Sequence, residues 1–306
     1  MPSSPQYAIG IDLGATHIKA VAVTVNGKLL TEVTEPTADT GDVRWAANVR
    51  RATRQIQTRL RSEPNGIGIA APGLPARNGD AIAYMPGRLP GLEGLNWGHY
   101  LKCPHFVPVL NDAQAALLGE AWLGAARLAK DIVLLTLGTG VGGAAMVDGH
   151  LLRGHIGRAG HFGHFSLNPK GALDVAQSPG SLEDAMGDCT VKARSGGRFE
   201  STLALVNACR RGDAAARATW TASVEALAAA VSSLINILDP EIVVVGGGIA
   251  NAGPALFRPL ARFLDRFEWR PGGHKARIVR ARLGPRAGAF GAAWAALHRN
   301  GGDSWV

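Results

Sequence analysis

One pattern occurs twice in this chain, and it narrows the possible folds more than any other feature. Tyr7-Ala8-Ile9-Gly10-Ile11-Asp12-Leu13 reads as a buried strand that closes on the turn Gly14-Ala15-Thr16, with a returning strand from Ile18 to Val25. Asn26-Gly27 then predicts a two-residue hairpin into Lys28-Leu29-Leu30. The layout returns as the strand Asp131–Leu137, the turn Gly138-Thr139-Gly140, the strand Val141–Val147 and an Asp148-Gly149 hairpin before Leu151-Leu152. Two copies of one supersecondary unit predict two related α/β domains facing each other. Each would offer a turn whose N–H groups and threonine hydroxyl can hold a phosphate, with Asp12 placed for a metal-bound water.

Length supports two medium domains, since 306 residues suffice for two cores. A chain 46% hydrophobic and 18% charged is ordered and globular. The 40 glycines cluster without a period, as in Gly138–Gly143 and Gly246–Gly248, which suggests tight turns and close backbone approach to ligands. Gly138, Gly140 and Gly143 satisfy GxGxxG, but that dinucleotide motif requires a helix to follow and here a β-type run follows. No GxxxxGK[ST] occurs, which excludes an ordinary P-loop.

The formal net charge is +8. Arg258, Arg262 and Arg266 fall at i, i+4 and i+8 and predict a basic helix face, but Asp265 and Glu268 are mixed in. A solvated face is therefore expected and no nucleic-acid partner. Cys103, Cys189 and Cys209 are odd in number and far apart, so neither a disulfide framework nor a cysteine zinc motif is expected, and a cytoplasmic location is. The start from Met1 to Gln6 is polar and leads directly into a strand, which predicts no signal peptide. The apolar run Ala226–Leu238 reads as too short to span a bilayer, so no membrane partner is expected.

Further elements follow from periodicity and punctuation. Residues 42–63 read as an amphipathic helix, 66–70 as a strand ending at Ala71-Pro72-Gly73, and 78–97 as an irregular excursion. Helices are predicted near 200–210 and 213–238, the second stopped by Pro240. Glu241–Val245 reads as a buried strand entering Gly246-Gly247-Gly248, and Pro254 suits N1 of the next helix. A strand near 276–280 and a helix near 286–298 close the chain.

Between the two copies, Val109-Leu110-Asn111-Asp112-Ala113-Gln114 passes from an apolar strand into a small-residue helix. A side chain at the carboxyl end of a strand in an open α/β sheet points at the ligand crevice, so Asp112 is the candidate catalytic base. Capping is the structural alternative, with Asn111 at N-cap, Asp112 in the first turn and Gln114 at N3. The glycine-rich loop Gly154–Phe165 carries His155, His161 and His164. His161 and His164 could bind a metal with Asp174, but loop histidines that contact a ligand are the preferred reading.

Five motifs in order then resemble the ROK family of sugar kinases and repressors, in the actin and hexokinase superfamily. They are Asp12-Leu13-Gly14-Ala15-Thr16-His17-Ile18-Lys19, Asn111-Asp112-Ala113, Leu137–Gly143, Gly157–His164, and Asp239-Pro240-Glu241 with Gly246–Gly248. The resemblance implies two ribonuclease-H-like domains with a ligand cleft between them: residues 1–111 plus 287–306, and residues 112–286. It implies ATP and magnesium held by Gly10, Ile11, Asp12, Leu13, Gly14, Ala15, Thr16 and His17 and by Leu137, Gly138, Thr139, Gly140, Val141, Gly142 and Gly143. Gly247 and Gly248 would take the nucleoside.

In that family Asp112 would accept the proton of a sugar hydroxyl, normally the 6-hydroxyl, while Gly73, Asn111, His161, His164 and Glu183 orient the sugar. The implied activity is ATP-dependent hexose phosphorylation, glucokinase-like, by a homodimer. A non-catalytic sugar-binding protein is the alternative, and the family's DNA-binding repressors are set aside because a strand begins at Tyr7. Two departures stand out. His161 replaces the usual glutamate, and Asp174–Ser181 occupies the family's CxCGxxGC zinc loop without its cysteines, so no structural zinc is expected and His164 is free of ligation.

Overall fold

The computed structural model describes residues 6–298. In chain order its elements begin β1 (Tyr7–Leu13), β2 (His17–Thr24), β3 (Leu29–Pro36), α1 (Arg44–Leu60), β4 (Gly66–Ala71), β5 (Leu74–Pro75), β6 (Ile82–Tyr84), α2 (Trp97–Leu101), β7 (Val109–Asn111) and α3 (Asp112–Leu123). The middle comprises β8 (Ile132–Leu137), β9 (Val141–Val147), β10 (His150–Leu151), α4 (Leu182–Met186), α5 (Val191–Arg194) and α6 (Thr202–Arg210). The last elements are α7 (Ala214–Leu238), β11 (Ile242–Gly246), α8 (Pro254–Phe267), β12 (Arg277–Arg280) and α9 (Ala287–His298).

The chain divides into two units. The first holds the residues up to Leu128, His150–Ala159 and the chain from Arg282; the second holds Ala129–Gly149 and Gly160–Ala281. These units divide the chain elsewhere than at the expected 111/112 and 286/287, and packing gives the reason. α3 lies against α9 so closely that a side-chain carbon on Gly119 or Gly291 would overlap the Ala287 or Ala115 carbonyl. Glu120, fully buried on α3, accepts N–H bonds from Ala125 (2.7 Å), Arg282 (2.9 Å) and Leu283 (2.7 Å), tying the approach to α9 to the same unit.

The first sheet runs β3-β2-β1-β4-β7. β1, β2 and β3 pair antiparallel, while β4 and β7 add in parallel, as short hairpins and longer crossovers require. One face receives α1, whose Trp45, Val49, Ala52 and Ile56 join Tyr7, Ile9, Ile11 and Ile69 in a buried core. The other receives α9, where Ala289, Phe290 and Ala293 meet Ala8, Val21 and Val23. That contact is unusually close because Gly10 and Gly68 sit under the Ala289 and Ala292 carbonyls, leaving no room for a side chain. Buried on both faces, β1 and β4 are continuous apolar runs, as strands covered on both sides must be.

The second unit repeats the plan with β9-β8-β11-β12, β8–β9 antiparallel and β8–β11–β12 parallel. α8 buries Leu256, Leu260 and Leu264 and exposes Arg258, Arg262 and Arg266, so the basic stripe faces solvent. α7 begins at Ala214, so the expectation of an apolar run too short for a membrane is corrected: it is 25 residues, long and apolar enough to span one. Its Trp220, Val224, Leu227, Val231 and Leu234 are buried in the unit, which accounts for their apolarity. The Asn26-Gly27 hairpin is also longer than expected. Thr24 N–H donates to the Lys28 carbonyl and Gly27 N–H to the Thr24 carbonyl, with Gly27 in the left-handed region.

Candidate active site

In the first unit the sequence Val109-Leu110-Asn111 ends β7 and Asn111 caps α3. Its Oδ1 accepts from Ala113 N–H at 2.9 Å, and Gln114 Oε1 accepts from Asn111 N–H at 3.3 Å, completing a capping box. The Asn111 Nδ2 donates to the Gly73 carbonyl at 3.0 Å, so this buried amide joins the strand end to the turn after β4. Gly73 has φ of +100°, and a side chain there would meet Met85 Cβ at 2.8 Å, which explains glycine at this turn. The capping reading of Asn111 is thus realised, and it leaves Asp112 with the first N-terminal turn of α3 behind it.

Asp112 is exposed to solvent, and its Oδ1 accepts from Ala113 N–H at 2.7 Å. The surrounding protein nevertheless raises its pKa by burial, more than the bonds from Ala113 and Asn111 lower it. Asp12, at the end of β1, is more affected. Burial first, and then the negative charge of Asp112, push it up to about 7, with Lys19 opposing. Asp12 therefore lies within electrostatic reach of Asp112, without a cation strong enough to neutralise the pair. Such a place suits a divalent cation.

The turn after β1 keeps its backbone by contacts that do not involve its own side chains. Gly14 N–H donates to the His17 carbonyl at 3.1 Å, and Ala15, Thr16 and His17 are exposed. Thr37, buried just beyond β3, fixes the turn from behind: its hydroxyl donates to the Gly14 carbonyl at 2.7 Å and its N–H to the Thr16 carbonyl at 2.9 Å. Sequence reasoning missed Thr37, since it lies outside any motif.

In the second unit the turn between β8 and β9 is braced by the segment after α4. Asp188 N–H donates to the Gly138 carbonyl at 2.9 Å and Cys189 N–H to the Thr139 carbonyl at 2.8 Å. Glu183, buried on α4, accepts from Val141 N–H at 2.9 Å, and its carboxylate fills the space beside Gly140. Glu183 was expected to orient a sugar, and its hydrogen bond here is to the phosphate-type turn. Gly247, with φ of +84°, passes so close to the Leu137 carbonyl that no side chain fits. Gly248 starts the three-ten turn Gly248–Ala252.

A cavity of about 420 Å³ opens beside these glycines, lined by Gly138, Thr139, Asp188, Ser201, Thr202, Leu203, Val206, Arg210, Gly248, Ile249, Asn251 and Ala252. It has the size and mixed lining of a small-molecule site. The buried Thr202 hydroxyl has no hydrogen-bond partner among the described residues. Of the cavity's residues only Gly138, Thr139 and Gly248 were legible in the sequence; Asp188 after α4, α6 with its N-cap Ser201, and the segment 248–252 supply the rest by tertiary placement.

His161 precedes and His164 ends a short three-ten turn, Phe162–His164, that packs on β9, where Phe162 closes over Gly143. Burial, reinforced by His164, lowers the His161 pKa and keeps it neutral at pH 7. His164 Nδ1 lies 2.9 Å from Asp174 Oδ2. His155, exposed, belongs to the first unit.

Comparison with known proteins agrees with this geometry. The ROK family pattern matches residues 8–299. A glucokinase of Thermotoga maritima is 34% identical over 82% of this chain and 85% of its own length. The ROK hexokinase of Thermus thermophilus superposes with a TM-score of 0.85 at 29% identity, covering 95% of this chain and 98% of that one. A ROK glucokinase of Streptomyces griseus, solved with glucose and AMPPNP, gives 0.77 at 27% identity over 96% and 100%. With its two repeated α/β units and the actin-like ATPase fold of these neighbours, the chain belongs to the ROK family.

Proposed function

We propose that the protein is an ATP-dependent sugar kinase that phosphorylates a hexose, glucose or a close relative, at its 6-hydroxyl. The observation that carries this reading is Asp112: an exposed carboxylate at the end of β7, raised in pKa and within reach of Asp12. Kinship with the Thermotoga maritima glucokinase supports the substrate class, and the glucose and AMPPNP complex of the Streptomyces griseus enzyme supports the phosphate donor.

The chemistry needs few groups. Phosphoryl transfer has a loose transition state, so positioning and charge neutralisation dominate. The sugar oxygen forms a bond to the γ-phosphorus as the bond to the β–γ bridging oxygen breaks, and the hydroxyl proton passes to Asp112. ADP leaves. With Gly14, Gly138 and Val141 N–H already bonded within the protein, the N–H groups of Ala15 and Thr16 and of Thr139 and Gly140 would hold the phosphates, and the cavity beside Gly248 would hold the nucleoside. Asp12 would hold magnesium, whose charge neutralises the phosphates; a carboxylate raised to about 7 beside a second acid fits that duty. Asn111, Gly73, His161, His164 and Glu183 would set the sugar's position, with Asn111 fixed by its cap and its bond to Gly73. A cytoplasmic homodimer belongs to the same proposal.

The test is magnesium-dependent ADP release from ATP across hexoses and N-acetylhexosamines, with the wild type and Asp112→Ala. Turnover with one sugar, lost at least about a hundredfold in the variant, is expected. A sugar that shifts thermal stability without raising ADP release would replace the enzyme by a sugar-binding protein.

A further inference from the structure

The loop between His164 and Ser181 closes on a single carboxylate. Asp174, with a side chain 1% exposed, accepts at Oδ1 from Ala176 N–H (2.8 Å) and Ser178 N–H (2.9 Å) and meets His164 Nδ1 at Oδ2 (2.9 Å). The Ser181 hydroxyl also hydrogen-bonds it. The turn is tight: Gln177 N–H donates to the Asp174 carbonyl and Asp174 N–H to the Ser178 carbonyl. Burial alone would raise this acid, but the bonds from His164, Ser178, Ser181 and Ala176 together hold it below the usual carboxylate range. It is ionised at neutral pH.

A zinc ion does not fit this loop. Asp174 spends both oxygens on hydrogen bonds, and Ala176 offers no donor atom. Among the described residues no group of three or more His, Cys, Asp or Glu side chains could hold a metal ion. A four-ligand structural site cannot be assembled from these parts.

An ionised carboxylate has no proton to donate, so the proton in the 2.9 Å contact belongs to His164 Nδ1. In the neutral ring the other nitrogen is then bare. We infer that Asp174 takes the place of the family's metal as the group that positions His164, and that it holds the ring as the Nδ1–H tautomer, presenting Nε2 to the sugar as a hydrogen-bond acceptor. A metal on Nδ1 would do the reverse and leave Nε2–H a donor. The inference rests on the proposed sugar contact of His164. It also makes sense of His161, the neutral imidazole that stands where the family has an accepting carboxylate. His161 can donate, so one acceptor and one donor are kept with their positions exchanged.

Asp174→Asn is the discriminating variant. Its Oδ1 still accepts from Ala176 and Ser178, while its amide donates to His164 Nδ1 and drives the proton to Nε2. The measurements are ring ¹⁵N shifts of His164 in both full-length proteins, zinc content before and after incubation with zinc, and KM and kcat for the preferred hexose beside its monofluoro analogues. A fluorine cannot donate, so in the wild type replacing the hydroxyl that faces His164 should raise KM about tenfold, the loss of one hydrogen bond, with kcat little changed. In Asp174→Asn the penalty should fall to about twofold or less, a change that mere loosening of the loop does not produce. Wild-type Nδ1 should be of the pyrrole type and Nε2 of the pyridine type, reversed in the variant, with zinc far below one ion per chain.

A pyrrole-type Nε2 in the wild type, one tightly held zinc per chain, or equal fluorine penalties in the two proteins would overturn the inference. The wild-type shifts and zinc content decide the tautomer even if the variant fails to fold. If no sugar binds, the kinase reading fails and the acceptor role goes with it, a result distinct from a wrong tautomer.

Discussion

The two copies of the strand–turn–strand unit differ in where they obtain their acid. In the first, Asp12 stands on the strand itself, two residues before Gly14, and carries a carboxyl raised to about 7. In the second, the position two residues before Gly138 is Thr136, and the carboxylate comes from another element, with Glu183 of α4 accepting from Val141 N–H at 2.9 Å. The bracing differs too. Thr37 steadies the first turn with a hydroxyl and an N–H, whereas main-chain N–H groups of Asp188 and Cys189 steady the second. One backbone design thus serves two tasks. A strand acid left without a strong partner is available to a cation, and an acid already spent on a backbone N–H shapes the turn.

Removing each acid separates those tasks. Asp12→Asn should lower magnesium-dependent turnover at least about a hundredfold, the scale for losing a charge-stabilising group, as read by ADP release over a magnesium titration. Glu183→Ala leaves the buried Val141 N–H without its acceptor and should cost about 1–3 kcal/mol in denaturant melts. It should also raise the KM for ATP or sugar.

The same contrast has a pH signature in the ligand-free protein. A native pKa of about 7 against an ordinary 3.8 means that the folded state binds the Asp12 proton more tightly than the unfolded state. Its destabilising effect is absent below about pH 4, grows as pH rises toward 7 and is constant above that, reaching about 4 kcal/mol at most. Asp12→Asn should remove this slope and raise the thermal midpoint at pH 8 even while activity is lost; an unchanged slope would mean that Asp12 is an ordinary acid. The smallest effect is expected from Thr37→Val, which removes the bond to the Gly14 carbonyl at about 1 kcal/mol and should raise the KM for ATP a few-fold. An unaltered KM would leave Thr37 a packing residue.

Much of the fold was legible because it rests on local rules. Hydrophobic runs marked β1, β4, β8 and β11, Pro240 follows the end of α7, Pro254 begins α8, and the Asn111–Gln114 capping box is spelled out in four residues. Residues acting through tertiary placement left no such trace. Glu120 reads as an ordinary helix acid, yet it is fully buried and binds the backbone at Arg282 and Leu283. For the same reason α3 packs with the first unit, whereas the family resemblance alone places it in the second domain. Asp174 was legible as a further metal-ligand candidate beside His161 and His164, but its bond to His164 depends on how residues 165–181 fold back. Thr202 and Asn251 reach the cavity by α6 and a three-ten turn whose meeting no periodicity predicts.

The close seat of α9 on Gly10 and Gly68 has a consequence for the chain's synthesis. β1 is among the first elements made and α9 the last described, so the part of the first sheet that α9 covers stays open while the entire second unit is translated. At cellular elongation rates that interval is on the order of tens of seconds. The second unit, whose segments Ala129–Gly149 and Gly160–Ala281 both precede α9, can complete its pairing of β8, β11 and β12 before the first can. Order of emergence and order of completion are therefore reversed. A ribosome stalled shortly before Arg282 would hold a nascent chain whose glycine-lined strand face is open to chaperones or to protease.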